Sequence, residues 1–94
     1  MKRYYIAVCV PQAGGWRAIF PDAPGCEVEA SSLDHAVLGA RFELASHASS
    51  LNGHARGILP PLRNLTDIRS DEQWTDANAI DWPAAVVTMI PLSV

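Results

Sequence analysis

Phe20-Pro21-Asp22-Ala23-Pro24-Gly25-Cys26 is the stretch from which the fold can be read. Two prolines pre-set φ, Asp22 can bond nearby backbone N–H groups, and Gly25 permits a positive φ, so the segment is a stiff turn. Extended chain is expected on both sides of it. Upstream, Arg3 to Val10 is β-branched and aromatic, with both alternating sets largely apolar, which suits a central strand buried on both faces. Pro11-Gln12-Ala13-Gly14-Gly15 breaks this run and Trp16 to Phe20 resumes it, predicting a hairpin with a five-residue loop. Downstream, Cys26, Val28 and Ala30 alternate with Glu27 and Glu29, giving a strand with one wet face.

Ser31 or Ser32 then caps a helix in which Leu33, Ala36, Val37, Ala40, Leu44, Ala48 and Leu51 form one apolar stripe. Leu38 and Phe42 lie off that stripe, at about 140° and about 180° from Leu33 at roughly 100° per residue, and require a second contact. Asn52-Gly53 is expected to end the helix, and Gly57 with Pro60-Pro61 predicts an irregular surface connection up to Arg63. Leu65 to Trp74 suggests short helical turns with a capping box at Ser70 and Gln73. Ala84 to Ile90 is a last strand, stopped by Pro91, which must find an open edge in the sheet or in a second copy. The elements thus run β-β-β-α-β, an α+β domain with an antiparallel-dominated sheet and one long helix on one face.

Ninety-four residues can hold one core, so residues 1–94 are expected to form a single domain. Apolar residues at 49% and charged residues at 18% describe a globular chain. A net charge of −3 argues against a phosphate-neutralising surface, and a basic protein suits the chain better than DNA. Met1-Lys2-Arg3 leads directly into the first strand, with no leader-like h-region and no apolar run of about 18 residues. A cytoplasmic protein that does not contact membrane is expected, and Asn64-Leu65-Thr66 then has no secretory context for glycosylation.

Tyr4-Tyr5-Ile6-Ala7-Val8, the Phe20 to Cys26 segment, and Ser32-Leu33-Asp34-His35-Ala36 followed by Ala40-Arg41 and Leu44 resemble the HicB-like antitoxin family. Its members show a Y-x-A-x-V strand, an F-P-D-x-P-G-C segment, and a helix opening T-L-x-E-A. The likeness covers residues 4 to about 75; the C-terminus resembles the family only as a strand. It implies a partial ribonuclease-H-like fold with sheet order 3-2-1-4, and a role in binding and silencing a small basic HicA-like toxin that cleaves messenger RNA. Many members carry a DNA-binding segment after the last strand; none is evident before Val94, which leaves autoregulation by DNA binding open.

The partner-binding candidates are Asp22, Glu27 and Glu29, acids that could complement a basic toxin. Turn chemistry alone explains Asp22; the functional reading adds that a rigid turn projects it toward the partner with little entropy to lose. Leu38 and Phe42 are the candidates for self-association into a dimer or larger homo-oligomer. Catalysis is not expected. A magnesium nuclease needs converging carboxylates, whereas Asp22, Glu27, Glu29, Asp34 and Glu43 include none in the middle of the central strand. No metal or cofactor site is expected: His35 and His47 stand about 18 Å apart along a helix at about 1.5 Å per residue, and His54 lies beyond them. Cys9 and Cys26 fall two strand spacings apart, about 9.5 Å, beyond the roughly 7 Å limit for a bridge, and should be buried free thiols. Trp74 and Trp82 are either clamped on the core or held for a partner.

Overall fold

The computed structural model describes residues 2–55 and 62–93. The elements are β1 (Lys2–Gln12), β2 (Gly15–Ile19), β3 (Glu27–Ala30), α1 (Leu33–Ala55), α2 (Leu65–Ser70), α3 (Glu72–Ala77), a 3-10 turn (Trp82–Ala84) and β4 (Val86–Ser93). The strands form one sheet in the order β3-β2-β1-β4, and every neighbouring pair is antiparallel. β1 is therefore central, as its two apolar faces require. Tyr5, Ala7 and Cys9 face α1, joining Ala36, Ala40, Leu44 and Ala48 of the helix and Ile90 and Leu92 of β4 in the main core. The opposite set, Val8 and Val10, packs with Ile19 and Ile80 beneath Trp74 and Trp82. Both tryptophans are thus part of the packing, 6.2 Å apart between ring centroids.

Ala36, Ala40 and Ala48 at helical spacing let α1 lie low on the sheet, with Leu44 buried between the last two. Ser32 caps its N-terminus: the Oγ accepts the His35 N–H at 3.2 Å and contacts Nδ1 of the same ring at 2.8 Å. The predicted end at Asn52-Gly53 is corrected: the helix runs to Ala55, because one glycine in a helix costs only about 1 kcal/mol and does not by itself break it. The connection expected between there and Arg63 lies mostly outside the described residues.

Three further boundaries differ from expectation. The hairpin loop is two residues, Ala13-Gly14, rather than five, because Pro11 and Gln12 stay paired to Trp16 and Gly15. Gly15 has to be glycine here, since a Cβ would overlap the Ala30 carbonyl arriving from β3. The capping box at Ser70 and Gln73 is absent: Asp71 caps α3 by accepting the Trp74 N–H at 3.0 Å, while Ser70 ends α2 and donates to the Thr66 carbonyl. Asn64 caps α2 through the Asp67 N–H at 2.8 Å. Finally, Pro91 does not stop the last strand, which continues to Ser93; a proline is tolerated on an edge strand where its missing N–H would point outward.

Candidate functional site

The Phe20 to Cys26 turn is closed on itself by three backbone bonds. Phe20 N–H donates to the Cys26 carbonyl at 3.3 Å, Ala23 N–H to Phe20 at 3.2 Å, and Cys26 N–H to Ala23 at 3.0 Å. Gly25 takes φ 87°, the left-handed value that a side chain disfavours. Phe20, Ala23 and Cys26 all enter the main core, so the turn is nailed down by its apolar residues as well as by its backbone.

Asp22 is placed otherwise than as an outward-projecting acid. It is 7% exposed, and its carboxylate is taken up by Arg63, 41 residues away. Arg63 Nε donates to Oδ1 at 2.7 Å and the Arg63 backbone N–H to Oδ2 at 2.8 Å. The guanidinium also donates to the Pro21 carbonyl at 3.2 Å and to Asp71 Oδ2 at 3.1 Å. Asp71 in turn caps α3, so one arginine ties the turn to the C-terminal helical turns. The Asp22 hydrogen bond holds the Arg63 guanidinium above its ordinary pKa, and the Trp74 N–H together with Arg63 holds the Asp71 carboxyl below its own. Such a clasp supports structure, and a partner would have to displace Arg63 to reach Asp22. Nothing in the sequence marks Arg63 as the partner, because no local pattern connects positions 22 and 63.

Glu27 and Glu29 stand on the wet face of β3, one edge of the sheet, and both are exposed. Glu29 lies opposite Arg17, whose Nη2 instead donates to the Asn78 carbonyl at 2.8 Å. Among the described residues neither glutamate has an ion-pair or side-chain hydrogen-bond partner. Two carboxylates on one strand face, two residues apart and held by a rigid turn, form a preorganised acidic edge.

The other edge differs in kind. β4 carries no charged residue over eight positions. Val86, Val87 and Met89 are exposed along it, with Tyr4 beside Met89's face on β1. Leu38 and Phe42, at 51% and 70% exposed, line a groove with Arg41, Ala45, Pro91 and Leu92 where α1 overhangs the end of β4. The two candidates for self-association are therefore brought to the β4 edge, away from the glutamates.

Cys9 and Cys26 are free and buried, and burial with the nearby Glu43 charge pushes the Cys26 thiol up to about 11. Among the described residues no group of three or more His, Cys, Asp or Glu side chains is placed to hold a metal ion. No described helix is long and apolar enough to cross a membrane.

No protein-family model and no curated protein sequence matches the chain. Solved structures do. The N-terminal domain of Burkholderia pseudomallei antitoxin HicB superimposes with a TM-score of 0.73 at 12% identity, over 98% of this chain and 100% of that one. A chain of the HicA3 and HicB3 toxin-antitoxin complex gives 0.68 at 15% identity, over 94% and 95%. The antitoxin HicB3 structure gives 0.64 at 16% identity, over 97% of this chain and 62% of that one. At such identities the likeness is one of fold, and it covers nearly the whole chain: a four-stranded antiparallel sheet, one long helix and short helical turns, the fold of the HicB antitoxin N-terminal domain.

Proposed function

We propose that this protein is an antitoxin of HicA/HicB type, a single domain that acts in the cytoplasm and neutralises a small basic, messenger-RNA-cleaving toxin by binding it. The observation that carries the reading is the exposed pair Glu27 and Glu29, unpartnered among the described residues, on a fold shared with HicB antitoxins. Acids fixed on a rigid strand attract a basic surface over a Debye length, about 8 Å at physiological salt, and apolar contact then fixes the complex. Inhibition is steric and requires no chemistry from this chain. Asp22 supports the site indirectly, since its clasp with Arg63 holds the turn that leads into β3.

The test is co-expression with a HicA-like toxin encoded beside this chain. Growth should be restored by the wild type and lost with Glu27→Lys/Glu29→Lys, while the far-ultraviolet circular dichroism of the variant stays unchanged. Rescue by the charge-reversed variant would remove the acidic edge from the interface. A second reading, a self-assembling binding module without a toxin, is favoured by the uncharged β4 edge. Failure of several neighbouring basic proteins to bind would select it.

A further inference from the structure

We infer that two copies of this chain pair through β4, antiparallel about a two-fold axis at Thr88, to make one continuous eight-stranded sheet. The pairing is independent of toxin binding, which is proposed for the opposite edge.

The direction of each β4 backbone group follows from the prolines. Pro11 is paired with Trp16 of β2 but has no N–H to give, so its nitrogen side points away from β2. Because backbone groups alternate along a strand, Tyr5, Ala7 and Cys9 point the same way, toward β4. Their partners Ile90, Thr88 and Val86 then point toward β1, leaving Val87, Met89 and Pro91 to face the open edge. Pro91 agrees independently, since it lies opposite Tyr4 on a ladder to which it cannot donate.

The outward donors on this edge are therefore Val87 and Met89. An axis at Thr88 sets Val87 of one copy opposite Met89 of the other, twice, and uses both donors and both acceptors. Pairing ends naturally one step further, at Ala85 opposite Pro91: Pro91 has no donor, and the Ala85 N–H is already given to the Trp82 carbonyl at 3.1 Å. An axis at Val87 sets the Met89 carbonyl opposite the Ala85 N–H that Trp82 already takes, and an axis at Met89 places Pro91 where a donor is needed. The absence of charge on β4 means that the two-fold brings no like charges together, and Thr88 meets Thr88 of the second copy.

The side chains agree with the backbone. A two-fold normal to the sheet keeps the same face up in both copies. On the face carrying α1, the groove of Leu38, Phe42, Pro91 and Leu92 comes against the start of the second copy's β4, where Val86 is exposed. On the other face Val87 meets Met89. Leu38, Phe42, Val86, Val87 and Met89, about half exposed as a group, offer on the order of 500 Å² per copy, against about 800 Å² for a standard interface. The paired backbone of residues 86–90 adds to that area.

Light scattering on the full chain at about 100 µM, a concentration that populates a micromolar dimer, should give twice the chain mass. Met89→Pro should be monomeric with unchanged circular dichroism, because the N–H it removes faces outward. Val87→Lys serves as the second variant should that proline prevent folding, and is expected to weaken association at least about tenfold, roughly 1.4 kcal/mol. Hydrogen exchange at the Val87 and Met89 amides should slow as concentration rises. A wild type that is monomeric at this concentration, or a dimer that survives both variants, would overturn the pairing.

Discussion

The two edges of this sheet solve the same problem in opposite ways. β3 is four residues long and carries Glu27 and Glu29, which keep another strand from approaching without a basic complement. β4 is eight residues long, uncharged, and flanked by apolar side chains on both faces. The sheet thus keeps an acidic edge apart from an uncharged, apolar one, with β1 and β2 between them. The difference teaches that an edge strand is informative through its charges as much as its hydropathy: the proposed toxin contact rests on the acidic edge, and the proposed self-pairing on the neutral one.

The largest effect should come from loosening what holds β3 in place. Arg63→Ala takes the guanidinium from the buried Asp22 carboxylate and leaves it only the backbone N–H of residue 63, at an expected cost of about 3 kcal/mol in chemical denaturation. Hydrogen exchange should quicken in β3 and the Phe20 to Cys26 turn before it does in β4; equal loss at both edges would break the comparison. Next, copying the charges of one edge onto the other, with Val87→Glu/Met89→Glu, should abolish self-association yet change monomer stability by no more than about 0.5 kcal/mol, since both residues are exposed. Glu27→Ala/Glu29→Ala should likewise change stability by less than about 0.5 kcal/mol, because neither carboxylate has an internal partner among the described residues.

The remaining effects are those of pH. Asp71 has a folded pKa below its ordinary 3.8, so the stability it contributes is present above that value and is lost as pH falls through the folded pKa. Cys26 is raised from 9.0 to about 11, so its contribution is complete below pH 9 and is lost as pH climbs toward 11. Thermal melts from pH 8 to 11 should show this decline, and alkylation of Cys26 at pH 8 should be slow while the protein is folded.

Much of the architecture was legible because it is locally encoded. The doubly apolar β1, the breaker at Gly14-Gly15, the alternation from Cys26 to Ala30 and the alanine stripe of α1 each specify an element from neighbouring residues. The boundaries at Pro11 and Pro91 were not legible, since a proline breaks a strand only if its N–H was needed, and that depends on which side the neighbouring strand lies. The same limit hid the role of Asp22. Its local context explains a turn, but its partner is Arg63, and a pairing across 41 residues leaves no periodic trace. Leu38 and Phe42 were legible as surplus apolar surface; that β4 lies beside them was not, because the sheet order was needed to bring Pro91 and Leu92 under the helix.

Isothermal titration of the chain with a HicA-like toxin, comparing wild type, Glu27→Lys/Glu29→Lys and Met89→Lys, bears most directly on the division of labour between the edges. Charge reversal on β3 should weaken binding at least about tenfold and flatten its salt dependence, while Met89→Lys should leave the affinity of each binding site within about twofold. Binding that is indifferent to the glutamates and abolished by Met89→Lys would contradict it, placing the toxin on the edge assigned here to a second copy.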